Sequence, residues 1–249
     1  MMSQKSTLIY ELKSLQKTYR EDTVLNIGRL QFHRGTIYGV IGPIGSGKST
    51  LFNIMAGLDR QSEGTVKYDD GEFETNWLGK IKQNPEIKLA QINGLPKGSK
   101  VSDVIDGHQG KLADQILAKY FKNRSWKALL SRNISNLSNG ELAWLNLVNA
   151  IETDPRVLLV DDYGVFFDNI LEGEFRRKLN QMNKELGTTI ILSAQSDQNL
   201  KRIASVLIYL DNGHIAKIRP GAGRGFKRIP NQRTSNQRRS KNRKSKGSR

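Results

Sequence analysis

Hydrophobic and polar positions alternate loosely over Leu8-Ile-Tyr-Glu-Leu-Lys-Ser-Leu15 and over Val24-Leu-Asn-Ile-Gly-Arg-Leu-Gln-Phe32. Both runs predict half-buried strands. Thr36-Ile-Tyr-Gly-Val-Ile41 is β-branched and apolar, the pattern of a buried strand. A glycine loop follows from Gly42 to Gly47, and Lys48 to Ala56 reads as a helix with Gly57 placed as its C-cap. Gly64 to Gly71 predicts a strand running into an Asp-Gly turn. A mostly helical stretch spans about Val101 to Glu152, interrupted by Asn, Ser and Gly near 133–140. Val157–Val160 and Thr188–Leu192 are buried strands, and Glu172–Leu186 between them is a charged amphipathic helix. Ala204–Leu210 and His214–Ile218 flank Asp211-Asn-Gly213 as a closing hairpin. Strands alternating with helices predict an α/β sheet with a helical insert near the middle. No internal repeat is visible.

One loop carries specific chemistry. Gly42-Pro43-Ile44-Gly45-Ser46-Gly47-Lys48-Ser49 fits G-x-x-x-x-G-K-[ST], directly after a predicted strand and opening a predicted helix. Glycines let backbone N–H groups curl around phosphate oxygens, and the helix N-terminus adds partial positive charge. In this pattern Lys48 reaches the β- and γ-phosphates and the Ser49 hydroxyl is a ligand for Mg²⁺. The strand in Arg156-Val-Leu-Leu-Val-Asp-Asp162 ends in two carboxylates, at the edge where open α/β sheets bind ligands. Asp161 is expected to hold Mg²⁺ through water, and Asp162 to face the γ-phosphate and its attacking water. Leu137-Ser138-Asn139-Gly140-Glu141 carries Ser-x-x-Glu ahead of an apolar-periodic helix. That is a capping box, and a capped helix N-terminus is also an anion site.

These three segments, in this order and spacing, resemble the nucleotide-binding domain of an ABC ATPase over about residues 6–218. The resemblance implies a P-loop NTPase fold: a central mixed sheet, an antiparallel β-subdomain, and a helical subdomain at about 93–150. It implies that ATP and Mg²⁺ are held by Gly42 to Thr50, with adenine stacked on Tyr19. It places the Q-loop glutamine at Gln91, as a catalytic contact and metal ligand. It also places the D-loop aspartate at Asp168 and the switch residue at Gln195. Ser138, Asn139 and Gly140 form the signature loop, which in the family reaches the nucleotide of a second chain in a head-to-tail dimer. Five positions depart from the family pattern. Asp162 stands where Glu is usual and Tyr163 where Pro is usual. Gln195 replaces His, and Trp144 replaces an Arg after the signature. Asn139 also replaces a Gly. Asp has a shorter reach than Glu, and Gln cannot carry a proton. The combination resembles the degenerate sites of asymmetric ABC transporters, and slow hydrolysis is expected.

Composition then bounds the class. The 249 residues carry 40 Lys+Arg against 24 Asp+Glu, for a formal charge of +16. Residues 219–249 hold 12 of the basic residues and no acid, leaving +4 on the remainder. That basic tail has little to bury and is expected to be disordered alone, a polycation for nucleic acid or anionic lipid. There is no cysteine, which excludes a disulfide scaffold, a Cys-ligated zinc site and cysteine catalysis. No apolar run approaches the ~18–20 residues of a membrane helix, and the first residues lack the apolar core of a secretory leader. The leading expectation is a cytoplasmic ATP-binding subunit, peripheral at the inner face of the membrane and driving a separate membrane subunit. The alternatives are a soluble ABC ATPase acting on nucleic acid or ribosomes, and a regulatory ATP-binding protein with little turnover.

Overall fold

The computed structural model describes residues 7–106, 112–120 and 127–223. Two sheets organise them. The antiparallel sheet has the order β2-β1-β4-β5, from β1 (Leu8–Tyr19), β2 (Asp22–His33), β4 (Glu63–Tyr68) and β5 (Gly71–Glu72). The other has six strands in the order β10-β9-β3-β8-β7-β6. These are β3 (Ile37–Ile41), β6 (Ile87–Ala90), β7 (Val157–Val160), β8 (Thr189–Ala194), β9 (Val206–Asp211) and β10 (His214–Pro220). All its pairings are parallel except β9 with β10.

The six-stranded sheet is covered on both faces, and the period-two rule assigns each face. Tyr38, Val40, Val157, Leu159, Ile191, Ile208 and Leu210 point to one core, shared with the antiparallel sheet and with α1 (Lys48–Met55). Ile37, Ile41, Leu158, Val160, Ile190, Leu192 and Leu207 point to the other, under α5 (Asn139–Glu152) and α6 (Asn169–Leu186). The Tyr10 hydroxyl donates to the Met55 carbonyl at 2.8 Å, so β1 holds the C-terminal end of α1. Gly57 follows that end with φ 70°, the left-handed step a helix stop favours.

The helical region contains α2 (Val101–Ile105), α3 (Ala113–Tyr120), α4 (Lys127–Leu130), a 3-10 turn over Ile134–Asn136, and α5. Glu152 at the end of α5 accepts from Lys119 Nζ at 2.8 Å and the Tyr120 hydroxyl at 2.7 Å, which ties α3 to α5.

Several sequence expectations are corrected. The strand at residue 8 runs four residues past Leu15, to Tyr19, across an irregularity where Ser14 adopts φ 48°. The expected Asp-Gly turn has Asp69 and Asp70 as its central residues, with φ 49° and 67°. Gly71 already pairs with Tyr68 in β5. Strand β6 has no counterpart in the sequence reading. Helix α6 begins at Asn169 rather than Glu172, because Asp168 caps it, accepting from the amides of Ile170 at 3.0 Å and Leu171 at 2.7 Å. The body also extends beyond residue 218. β10 reaches Pro220, and the amides of Gly221 and Gly223 donate to Ser205 O at 2.8 Å and Ala204 O at 3.0 Å. The rest of the basic tail lies outside the described residues.

The β9–β10 turn braces the glycine loop. Gly213 N donates to Ser46 O at 3.2 Å, and Asn26 N donates to Gly213 O at 2.9 Å. Gly213 has φ 76°, and a Cβ there would sit 2.6 Å from Val24 O. Gly213→Ala is therefore expected to lower unfolding stability by about 1–3 kcal/mol. Gly28→Ala, where a Cβ meets nothing within 4 Å, is the control. Urea unfolding midpoints of the two variants check the difference.

Candidate functional site

The register of the parallel strands assembles the site. Ile41 pairs with Ala194, so Gly42 and Gln195 leave neighbouring strands at one level. Ala90 pairs with Val160, so Gln91 and Asp161 do the same one strand further along. Val160 pairs with Leu192, which sets Asp161 beside Ser193. Adjacent strands lie about 4.8 Å apart. The glycine loop, Gln195, the two aspartates and Gln91 thus follow one another along a single carboxyl edge.

The loop from Gly42 to Thr50 curls around its own lysine. Lys48 Nζ donates to the carbonyls of Gly42 and Pro43, both at 2.8 Å, and to Ser46 Oγ at 3.3 Å. Gly45 and Gly47 take φ 81° and 95°, turns that only glycine makes freely. Gly42 cannot carry a side chain at all, since a Cβ would lie 2.2 Å from Leu210 O. Pro43, Ile44, Gly45 and Ser49 are exposed, Gly47 and Thr50 half-buried, and Ser46 buried. Burial lowers the Lys48 ammonium below its ordinary range, while the charges of Asp162 and Asp161 pull it back up. The loop therefore presents a partly desolvated cation beneath open backbone, suited to phosphate oxygens.

The aspartates differ. Asp161 Oδ1 accepts from the Ser193 hydroxyl, and Asp161 N donates to Ala90 O at 2.9 Å. Asp162 is exposed and adopts φ 53°, with its amide donating to Ser193 Oγ at 2.9 Å. Partial desolvation and then the Asp161 charge raise the Asp162 carboxyl above its ordinary value, against the opposing pull of Lys48. Among the described residues no group of three or more His, Asp or Glu is poised for a metal. The oxygen set on this edge is sparse: the Ser49 hydroxyl, the Asp161 carboxylate and the Gln91 amide. That suits Mg²⁺, which keeps most of its shell as water and substrate phosphate.

Tyr19 ends β1 and is exposed, with its hydroxyl donating to Asp59 and also sharing a hydrogen bond with the Thr50 side chain. Burial, together with the Asp59 hydrogen bond, pushes that hydroxyl up to about 12. Lys17 Nζ stands 4.6 Å from the centre of the Tyr19 ring and binds Asp59 at 2.7 Å. Tyr19 is thus brought to the glycine loop. Ser138, Asn139 and Gly140 are not. They begin α5, where the Ser138 hydroxyl accepts from Glu141 N at 3.3 Å and Ser138 N donates to Glu141 Oε2 at 2.8 Å. A Cβ on Gly140 would approach Phe166 O at 3.6 Å. This helix start makes no hydrogen bond to the glycine loop among the described residues.

The profile of the ABC transporter family matches residues 25–163, more than half of the chain. The chain belongs to that family. Its place there is the ATP-binding subunit. TupC of Peptoclostridium acidaminophilum, the ATP-binding protein of a tungstate uptake system, is 26% identical over 211 residues, 83% of this chain and 96% of TupC. BcrA of Enterococcus faecalis, a bacitracin transport ATP-binding protein, is 28% identical over 221 residues, 84% of this chain and 68% of BcrA. A bacterial ABC transporter cassette solved as a dimer superimposes with a TM-score of 0.71 at 23% identity, covering 87% of this chain and 100% of the cassette. No helix among the described residues is long and apolar enough to cross a membrane.

Within this ABC fold two of the unusual residues, Tyr163 and Trp144, pack against local partners. Tyr163 is buried and its hydroxyl donates to Glu172 Oε1 at 3.2 Å. Trp144 is buried in the helical core, edge-on to Tyr120 at 6.3 Å. Asp168, the expected D-loop aspartate, caps α6. Sequence reasoning missed Asp59, Lys17 and Ser193. No motif marks them, because each acts through a partner distant in the chain.

Lys48→Ala removes the side-chain cation from the loop and leaves its carbonyls open to water. The expected outcome is a folded protein, with an unfolding midpoint close to wild type, whose ATP affinity falls at least tenfold by titration calorimetry.

Proposed function

We propose that this subunit binds Mg·ATP in the loop Gly42–Thr50, with adenine on Tyr19. The reading rests on one observation: four strand ends in register, with Lys48 in electrostatic contact with Asp161 and Asp162. Backbone amides and Lys48 take the phosphates. Ser49, Asp161 and Gln91 supply oxygens to Mg²⁺, which neutralises phosphate charge. Asp162 accepts the proton of the attacking water, and Gln195 donates a hydrogen bond to the γ-phosphate. Ser138, Asn139 and Gly140 serve the nucleotide of a second chain, which agrees with their place at a separate helix start. A head-to-tail dimer, identical or mixed, would then couple ATP binding to a separate membrane subunit at the inner face. The basic tail would add a salt-dependent contact with an anionic surface, nucleic acid or lipid. The relatives' cargoes, tungstate and bacitracin among them, span unrelated chemistries and assign none to this chain.

Turnover is slow in this proposal. Asp162 keeps the negative charge of a general base but has a short side chain, and Gln195 has no imidazole. Asp162→Glu combined with Gln195→His is expected to raise steady-state ATP hydrolysis by about tenfold or more, with ATP affinity within about threefold of wild type. A wild-type homodimer already turning over at ~1 s⁻¹ or faster, in the ordinary enzyme range, would falsify slow chemistry. The pH profile carries a sign as well. The Asp162 carboxyl lies above its ordinary value of 3.8, and the base must be ionised. Activity is therefore lost as pH falls through that raised value, and Asp162→Asn, with no carboxyl to ionise, is expected to lose both that acid limb and most of the hydrolysis.

A further inference from the structure

Ser193 belongs to no motif, yet it holds three consecutive residues of the site. It lies in β8 and is fully buried, in a run whose neighbours Ile190, Ile191, Leu192 and Ala194 are all apolar. A hydroxyl in such a place is costly unless both its donor and its acceptor roles are filled. Both are. Its proton goes to Asp161 Oδ1, and its oxygen accepts from Asp162 N at 2.9 Å. The Ser193 carbonyl then accepts from Tyr163 N at 2.8 Å. One residue therefore fixes 161, 162 and 163 across the β7–β8 pairing.

Each bond has a consequence. The hydroxyl occupies Oδ1 of Asp161, which fixes the carboxylate rotamer and leaves Oδ2 without a hydrogen bond among the described residues. The bond to the Asp162 amide supports a left-handed backbone, φ 53°, in a residue that is not glycine. Without it that amide would lose its partner at the point where the chain turns.

We propose that Ser193 is a positioning residue for the metal and water side of the nucleotide site, aiming the free oxygen of Asp161 and the turn that carries Asp162. The proposal rests on the reading of Asp161 as a Mg²⁺ ligand. Partners that orient a ligating carboxylate typically change metal affinity 10–100-fold when removed.

The test measures ATP binding by calorimetry, in full-length protein, across a Mg²⁺ titration and in excess EDTA. Ser193→Val and Ser193→Thr have nearly the same shape and differ in the hydroxyl, so any packing damage is common to both. Ser193→Ala adds a variant with no added bulk. In Ser193→Ala and Ser193→Val the half-saturating Mg²⁺ concentration is expected to rise about tenfold or more, with metal-free ATP affinity within about twofold of wild type. Ser193→Thr is expected to stay within about threefold of wild type. If Thr is as impaired as Val, packing and not the hydroxyl matters, and the proposal fails. It also fails if Ala and Val keep the wild-type Mg²⁺ dependence while Asp161→Asn loses it. If Asp161→Asn itself keeps that dependence, the metal reading of Asp161 is wrong and the role of Ser193 falls with it.

Discussion

Hydrogen-bond register among four parallel strands is the constraint on which this molecule depends. In β3, β8, β7 and β6 a slip of one residue would exchange the two faces of a strand. In β3, β7 and β8 both faces are buried in different cores, so a slip would send side chains shaped for the helices into the antiparallel sheet. The apolar packing therefore fixes the register, and the register fixes which polar residues emerge together at the carboxyl edge. The chemistry of the site follows from burial chosen several residues away.

Charge at that edge is held in balance. Lys48 is buried, which lowers its ammonium below the ordinary value, and the charges of Asp162 and Asp161 oppose that shift. Asp162 is raised by its own desolvation and by Asp161, and Lys48 moderates that. Lys48 and Asp162 thus each depart from their ordinary values, and each restrains the shift of the other. A polyanion bound in the loop would change this balance at once. It would compete with the loop carbonyls for the ammonium and add negative charge near both carboxylates.

Much of this was legible in the chain. The glycine loop, the strand ending at Asp161 and the capped start of α5 are local patterns, and local geometry follows from local sequence. The short strand β6 was not legible, because Ile87-Lys-Leu-Ala90 is too brief to show a period. The start of α6 was misplaced because Asp168 and Asn169 read equally well as loop residues until the cap is seen. The turn after β4 misled because Gly71 suggested a glycine turn, whereas Asp69 and Asp70 take the left-handed positions. Asp69 is held there by Arg156 at 2.6 Å and by Arg34, residues no window around the turn contains. The partners of Tyr19 and Asp161 were hidden for the same reason: 40 and 32 residues separate each from its contact.

The brace between Gly213 and Ser46 bears on how the chain comes to be made. β3 lies between β8 and β9, and its loop leans on a turn at residue 213. During synthesis the glycine loop leaves the ribosome well before the two strands beside it and the turn beneath it. Closing such distant contacts is slow compared with forming a helix. The antiparallel β1–β2 hairpin can pair at once, but the glycine loop lacks its full brace until Gly213 has emerged. A ribosome-bound fragment would thus carry the complete glycine motif without the strands and turn that position it.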